Sequence, residues 1–201
     1  MMSKGILFVV SAPAGCGKDT ILEEVLLRND NLFYSVSATT RAMREGEKEG
    51  VSYFFKTRDE FEEMIANAQL LEYTEYCGNY YGTPKQAVMD MLEQGKDVIL
   101  KIEIEGAANI IKLFPYEALV FILPPSMNEL SRLLHKRGTE DEATIQRRLE
   151  TARNELEFAK NYDYAIVNGD LGKAIDDFMT VIAAEKFAVK RNLDLIKDIE
   201  V

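Results

Sequence analysis

The chain has 201 residues, of which 34 are acidic and 24 basic, so its net charge is −10 at neutral pH. This length suits one compact unit with inserted lobes, and the 47% apolar and 29% charged residues are ordinary for a globular protein. The acidic balance argues against a nucleic-acid binder, which would need a basic face, but a few local arginines and lysines can still hold an anionic substrate. No apolar run approaches the roughly 20 residues of a membrane span, so we expect no membrane partner.

The N-terminal apolar stretch Gly5–Val10 predicts a strand buried on both faces. It is shorter than the apolar region of a secretory signal, which needs about 7–15 residues. The two cysteines, Cys16 and Cys77, have no metal-ligand spacing and do not make a disulfide framework. Together these features predict a cytoplasmic protein in a reducing environment.

The residues after this strand, SAPAGCGKDT from Ser11 to Thr20, almost match the phosphate-binding loop G-x-x-x-x-G-K-[ST]. Apolar residues at helical spacing follow, so the chain has the order of strand, glycine-rich turn and helix that this motif needs. Backbone N–H groups at such a helix N-terminus converge on an anion, and Lys18 reaches the terminal phosphates. Ala12 replaces the first glycine, and Asp19 stands where a hydroxyl normally holds magnesium.

The alternation of apolar runs and helical patterns predicts a parallel α/β sheet with covered faces. The predicted core strands are Gly5–Val10, Asp97–Ile104, Ala118–Leu123 and Tyr164–Val167. Helix starts are predicted from the capping boxes Thr57-x-x-Glu60, Ser126-x-x-Glu129 and Thr139-x-x-Glu142, and from Pro84 as a first helical residue. Left-handed C-terminal caps are predicted at Gly95 and Gly138.

Two segments depart from this alternation of strands and helices. Residues 35–83 are rich in Thr, Tyr, Gly and charge, and they predict an inserted β-rich lobe with short strands at Ser35–Thr39, Tyr53–Phe55 and Tyr80–Tyr81. Residues 128–153 predict two polar helices that flank a mobile turn. The last helix is predicted from Leu171 to about Leu195.

Arginines cluster in these same two segments. Arg41 and Arg44 follow a Ser/Thr-rich turn, and the second segment carries Arg132, Arg137, Arg147, Arg148 and Arg153. Guanidinium groups bind phosphate in bidentate fashion, so the separate clusters indicate two phosphorylated ligands. The alternative is that single arginines only solvate helix surfaces, which we expect for one of the adjacent pair Arg147 and Arg148.

The chain resembles the guanylate kinase family of nucleoside monophosphate kinases from about Gly5 to Ala183. The motifs that carry the resemblance are Ser37-Ala38-Thr39-Thr40-Arg41, Gly50 to Phe55 (GVSYFF), Gly78 to Pro84 (GNYYGTP), Ile122 to Ser126 (ILPPS) and Arg137-Gly138-Thr139. The family implies a P-loop parallel-sheet core flanked by helices, with an inserted β-rich GMP-binding lobe and a helical lid. We expect the core at residues 1–34, 84–127 and 154–201, the lobe at 35–83 and the lid at 128–153.

The resemblance implies the reaction ATP + GMP → ADP + GDP, with ATP and GMP as partners and Mg²⁺ as cofactor. It assigns ATP to Ala12, Pro13, Ala14, Gly15, Cys16, Gly17, Lys18, Asp19, Thr20, Arg137 and Asn168. It assigns the GMP phosphate to Arg41, Arg44, Tyr53 and Tyr81, and the guanine base to Ser37, Glu72, Thr83 and Glu103. The implied catalytic residues are Lys18, Arg41, Arg137 and Arg148, with Arg153 as a further candidate near the transferring group.

Asp19 and Lys101 both depart from the family pattern, which usually has a small or hydroxyl residue at the first position and an acid at the second. One hypothesis is a charge exchange that moves the acid onto the loop and couples the two residues. The alternative is two unrelated changes, with Asp19 capping its helix. Two roles toward magnesium stay open: Asp19 is a direct ligand, or Lys101 neutralises it and the metal is held by phosphates and water.

Two other functions stay open at this point. Because of Asp19 and Lys101, the chain could be a catalytically weakened guanylate-kinase-like module that binds nucleotide or protein. It could also be a related phosphotransferase for a phosphorylated sugar, in which case Ser37, Glu72 and Glu103 would have no base to bind.

Overall fold

The computed structural model of the chain describes residues 4–76, 78–114, 117–137 and 141–197. The strands in this part are β1 (Leu7–Ser11), β2 (Leu32–Ser35), β3 (Ala38–Thr39), β4 (Phe54–Phe55), β5 (Leu70–Tyr76), β6 (Asn79–Pro84), β7 (Asp97–Lys101), β8 (Ala118–Leu123) and β9 (Tyr164–Val167). The α-helices are α1 (Lys18–Arg28), α2 (Arg58–Ala66), α3 (Lys85–Glu93), α4 (Ile104–Leu113), α5 (Met127–Arg137), α6 (Glu142–Phe158), α7 (Leu171–Glu185) and α8 (Leu193–Lys197). Short 3-10 turns occupy Ala159–Asn161 and Val189–Arg191.

The chain divides into two compact units, of which the first comprises Met1–Val9 and Asn31–Glu117. In this unit β2 pairs in parallel with β7, and β7 lies beside the start of β1. A second sheet has the strand order β4-β3-β6-β5, with antiparallel pairing from β3 to β6 and from β6 to β5. Phe8, Ile99 and Phe61 are among its fully buried core side chains.

The second unit comprises Val10–Asp30 and Ala118–Val201. The end of β1, β8 and β9 are neighbours in that order, and β8 and β9 run parallel. Helices α1 and α7 pack against each other, and Arg28 Nη1 lies 3.0 Å from Asp176 Oδ1 on their exposed side. Ile21, Phe121 and Phe178 are buried in its core. The predicted fold class, a parallel sheet flanked by helices, is confirmed.

Several predicted boundaries were wrong. The strand predicted over Asp97–Ile104 ends at Lys101, because Ile104 already begins α4 and its apolar character serves the helix. The segment Ser35–Thr39 is divided, since Ser35 ends β2 beside β7 while Ala38–Thr39 belongs to the second sheet. The last long helix ends at Glu185, not near Leu195.

Two strands of the second sheet also differ from the prediction: one is longer and one was not predicted. β6 covers Asn79–Pro84 rather than two residues, and β5 was not predicted. The register of β5 against β6 shifts between Leu70 and Tyr73, which marks a β-bulge. The bulge breaks the alternation of buried and exposed side chains that identifies a strand in sequence.

The helix caps follow the predictions in part. Thr57 and Glu60 form the predicted capping box, and the Glu129 backbone N–H donates to Ser126 Oγ at 3.1 Å. Helix α6, however, is capped by Asp141, whose carboxylate accepts from the Thr144 N–H, so its predicted start at Thr139 was wrong.

Three glycine and proline predictions remain. Pro84 precedes the first residue of α3 rather than occupying it. Gly95 has the predicted positive φ, of 77°. The cap predicted at Gly138, like Thr139 and Cys77, lies outside the described residues.

Candidate active site

The turn between β1 and α1, in the second unit, has the backbone of an anion-binding loop. Gly15 and Gly17 both have positive φ, at 96° and 78°, and Gly17 is the N-cap of α1 without a side-chain hydrogen bond. A Cβ on Gly17 would stand 2.6 Å from Asn168 Nδ2, so this position needs glycine for space as well as for conformation. Gly17 thus gives the N–H groups of the first turn of α1 no side-chain cap, and such groups at a helix N-terminus can hold an anion.

The loop is fixed from the end of β9. Asn168 Nδ2 donates to the Cys16 carbonyl oxygen at 2.6 Å, and the Cys16 N–H donates to the Pro13 carbonyl oxygen at 3.2 Å. The Cys16 side chain is only 2% exposed, and burial raises the pKa of its thiol to about 12 although Lys18 nearby lowers it. Cys16 is thus a packing residue that contributes its backbone to the loop.

The other loop residues assigned to ATP are arranged around this turn. Ala12 and Pro13 are buried, and Ala14 is exposed. Lys18 is half-buried as the first residue of α1, and Asp19 and Thr20 are exposed in its first turn. Because Gly17 is the N-cap, the interpretation of Asp19 as a helix cap was wrong.

A cavity of about 480 Å³ adjoins the loop within the second unit. It is lined by Gly17, Thr20, Pro125, Glu129, Leu133, Asn168, Gly169 and Leu171. Its size is within the usual range for small-molecule sites, and its walls combine apolar side chains with a few polar groups. Of these residues, Gly17, Thr20 and Asn168 were predicted as site residues. Glu129 and Leu133 were not, since only the fold places this face of α5 beside the loop, and neither were Pro125, Gly169 and Leu171.

The arginines of the second unit lie on α5 and α6. Arg132 donates two hydrogen bonds to the carboxylate of Glu129, a cavity residue, at 2.8 and 2.6 Å. Arg148 is half-buried, whereas Arg147 is exposed and donates to Thr144 Oγ1 at 3.0 Å. Arg147 is thus the surface member of the adjacent pair. Arg137 is the last residue of α5, and Arg153 is exposed on α6.

In the first unit Arg41 lies in a cluster of aromatic rings. Its Cζ is 5.4 Å from the Tyr53 ring centroid, and the Tyr53 and Tyr81 rings stand edge to face at 6.0 Å. Burial raises the pKa of the Tyr53 phenol, and the charge of Lys101 partly offsets this. The structure therefore brings together three of the four residues assigned to the GMP phosphate. Arg44, the fourth, is exposed.

Glu47 was not predicted, yet it organises this cluster. Its two carboxylate oxygens accept from Arg41 Nη1 and Nη2 at 3.0 and 2.7 Å, and Oε2 also accepts from the Arg44 N–H at 2.7 Å. These hydrogen bonds lower the pKa of Glu47 and raise that of Arg41. Glu47 lies in a charge-rich loop without periodicity, so no sequence signal distinguishes it from its neighbours.

A buried carboxylate forms the other half of the site in the first unit. Glu72 is 6% exposed, and Thr83 Oγ1 donates to its Oε1 at 2.6 Å. Glu72 follows the buried Leu71 directly, which the bulge in β5 permits. Burial raises the pKa of Glu72, although the hydroxyl and the backbone of Thr83 both act to lower it.

The remaining predicted residues lie on separate elements of the first unit. Ser37 is half-buried between β2 and β3, and Glu103 is exposed as the N-cap of α4. Lys101 ends β7, with its Nζ 5.7 Å from the Tyr34 ring centroid. The coupling of Lys101 with Asp19 stays a prediction.

Comparisons with known proteins agree on one family. The guanylate kinase family model matches residues 4–185. The chain is 50% identical to the guanylate kinase of Desulfitobacterium hafniense over 187 residues, which cover 93% of this chain and 94% of that protein. It is also 50% identical to that of Carboxydothermus hydrogenoformans over 190 residues, or 94% and 93% of the two chains.

A solved structure agrees with these sequence matches. The crystal structure of guanylate kinase from Anaplasma phagocytophilum matches with a TM-score of 0.79 and 34% identity, covering 94% of this chain and 90% of that one. Among the residues described here, none of the helices is both long and apolar enough to cross a membrane. The resemblance predicted from the motifs is confirmed, and the chain belongs to the guanylate kinase family.

Proposed function

We propose that the protein transfers the terminal phosphoryl group of ATP to GMP, giving ADP and GDP, the reaction of its family. The observation that carries this proposal is the buried Glu72 carboxylate with its Thr83 partner. A buried carboxylate is costly unless hydrogen-bond donors meet it, and guanine offers two such donors on one edge, the N1–H and the exocyclic amine. The expected division into core, lobe and lid remains part of the proposal.

In the first unit, Glu72 accepts from the guanine base, with Ser37, Thr83 and Glu103 as further base-reading residues. Adenine has an acceptor at N1 and no 2-amino group, so AMP would leave the buried carboxylate facing a lone pair, and the site would reject it. Arg41, Arg44, Tyr53 and Tyr81 hold the GMP phosphate, because two guanidinium groups and two phenols satisfy several phosphate oxygens at once.

In the second unit, the loop from Ala12 to Thr20 holds the ATP phosphates on its backbone N–H groups, and Lys18 contacts the terminal phosphates. The adenine occupies the cavity beside the loop, where Asn168 lies, with Arg137 over the base. The size of the cavity and its mixed walls support this assignment. The hydrogen bond from Asn168 to the Cys16 carbonyl connects the wall of the adenine site with the phosphate loop.

An ATP-using kinase needs a divalent metal, and we propose Mg²⁺, with Asp19 as its one protein ligand. Among the described residues no group of three or more His, Cys, Asp or Glu side chains could hold a metal. A single exposed carboxylate fits Mg²⁺, which keeps several waters and is shared with substrate phosphates rather than caged by protein. The metal would neutralise charge on the transferring phosphoryl group.

The transfer itself requires positioning and charge neutralisation more than proton chemistry. The GMP phosphate is the attacking nucleophile and is largely ionised at neutral pH, so its activation needs no general base. Lys18, Arg41, Arg137 and Arg148 supply the positive charge, and a well-placed arginine can contribute roughly 10³–10⁵ in rate. A cytoplasmic location and the exclusion of nucleic acid remain predictions.

The test is a coupled assay of ADP release with GMP, dGMP, AMP and a phosphorylated sugar, each with and without Mg²⁺, alongside calorimetric measurement of GMP binding. We expect turnover with GMP and none with AMP. Lys18→Ala should abolish turnover, whereas the matched change Lys4→Ala at an exposed position should leave it intact. GMP binding without turnover would replace the kinase with a binding module, and turnover of the sugar would indicate a different phosphotransferase.

A further inference from the structure

Gly106, the third residue of α4, is a buried glycine that the helix itself does not require. Its φ is not among the positive values in the chain, so any residue could adopt this backbone conformation. Glycine is the least favourable residue in a helix interior apart from proline. A reason for glycine at this position must therefore come from what surrounds it.

The space above Gly106 is occupied by the Glu72 carboxylate. A Cβ at position 106 would stand 2.6 Å from Glu72 Oε2 and 3.2 Å from Glu72 Cδ. The next atom, Ile102 Cβ, would be at an ordinary contact distance of 3.6 Å. The carboxylate is therefore the group that a side chain at this position would displace.

Glu72 has little freedom to move aside. Its Oε1 accepts the Thr83 hydroxyl at 2.6 Å, so any rotation of the carboxylate breaks or lengthens that bond. Its backbone is also tightly packed, because a Cβ on Gly82 of the neighbouring strand would stand 3.0 Å from the Glu72 carbonyl oxygen. The carboxylate is thus fixed by Thr83 on one oxygen and accommodated by Gly106 at the other.

We propose that Gly106 is a positioning residue for base recognition: the missing side chain lets α4 approach the Glu72 carboxylate and sets the direction of its acceptor oxygens. The inference rests on the proposed role of Glu72 in binding guanine. A methyl group at position 106 would push the carboxylate by about 0.8 Å to restore a contact of 3.4 Å. Misplacement on the scale of 1 Å can cost roughly 10²-fold in an enzyme site.

The experiment compares Gly106→Ala with the wild type in steady-state kinetics. We expect the KM for GMP to rise between about 10- and 100-fold, while the KM for ATP changes less than about twofold. The preference for GMP over inosine monophosphate, which lacks the 2-amino group, should fall as well. Gly172→Ala is the matched control, since a Cβ there meets its nearest atom, Asp170 Oδ1, at 3.4 Å and should leave the KM for GMP unchanged.

The variant Glu72→Asp separates positioning from general damage to the helix. Its shorter carboxylate draws back from position 106, so adding Gly106→Ala to Glu72→Asp should cost less than about twofold further in KM for GMP. An equal penalty in both backgrounds, including loss of folding by melting temperature, overturns the inference. So does an unchanged KM for GMP in Gly106→Ala. Failure of the proposed function is distinct, because the wild type itself would then show no GMP-dependent turnover.

Discussion

Replacing Glu72 with glutamine should weaken GMP binding and stabilise the fold at the same time. Glutamine has the same shape as glutamate, and its Oε1 can still accept the Thr83 hydroxyl. The substitution, however, replaces one acceptor oxygen by an NH₂ group and removes the charge. In the proposed complex, one guanine donor then faces another donor in a site where Glu72 is only 6% exposed to water.

The loss of affinity follows from this exchange. A hydrogen bond to a charged group contributes about 1.5–3 kcal/mol, which corresponds to roughly a 10- to 150-fold increase in the KM for GMP. The KM for ATP should stay unchanged. The assay is ADP release at varied GMP and fixed saturating ATP, with inosine monophosphate as the second acceptor to show that discrimination at the 2-amino group is lost.

Although Glu72→Gln should weaken GMP binding, it should increase the stability of the fold. Burial raises the pKa of Glu72, so the folded state binds this proton more tightly than the unfolded state does. The resulting stabilisation is complete below the ordinary pKa of 4.5 and is lost as the pH rises through the folded pKa. Above the folded pKa the wild type has a buried charge that glutamine lacks.

Scanning calorimetry of Glu72→Gln should show a higher Tm than wild type at pH 7 and a smaller difference near pH 4. Each kcal/mol relieved should raise Tm by about 2–4 °C in a chain of this length. A lower Tm at pH 7 combined with an unchanged KM for GMP would refute both the cost assigned to the buried charge and the assignment of Glu72 to the base.

Three further predictions concern other residues. Asp19→Ser should raise the half-saturating Mg²⁺ concentration several-fold without changing the KM for GMP. If the effects of Asp19→Ser and Lys101→Asp on activity are strictly additive, the two residues are not coupled. Tyr164→Phe removes the hydroxyl that donates to Glu185 Oε1 at 2.5 Å, so calorimetry should show a loss of about 1.5–3 kcal/mol with kcat retained, whereas an unchanged Tm would contradict it. Because burial raises the pKa of Cys16 to about 12, its alkylation at pH 8 should be slow in the native protein and fast after unfolding, as mass spectrometry of the peptide containing it can measure.

The sequence predicted best those elements whose apolar residues all belong to a single strand or helix. β8 and β9 match their predictions because each is a continuous run rich in apolar residues that ends at a turn. The prediction for β7 extended too far, because the apolar residues up to Ile104 belong partly to the strand and partly to helix α4, in which side chains repeat with a different period. β5 was missed because the bulge before Tyr73 interrupts its alternation.

The residues of the candidate site also differ in whether the sequence could identify them. Roles could be predicted from motifs for residues of distinctive chemistry such as Lys18 and Arg41, and from the family resemblance for Glu72. Glu47 and Gly106 could not, because their importance comes from contacts that folding creates: a carboxylate that meets Arg41, and an absent side chain that leaves room for Glu72. The residues next to Gly106 in the sequence do not indicate that it leaves room for Glu72, which is more than thirty positions away.

The ion pair between Arg41 and Glu47 has a consequence for selectivity among anions. The Arg41 side chain is only 13% exposed and already has two carboxylate bonds, so an anion that approaches it must compete with a carboxylate rather than with water alone. The gain in binding is then the difference between two ion pairs, which favours a doubly charged phosphate monoester over chloride, a diester or another singly charged ion. If Arg41 binds a phosphate as proposed, Glu47 would compete with that ligand for the guanidinium group.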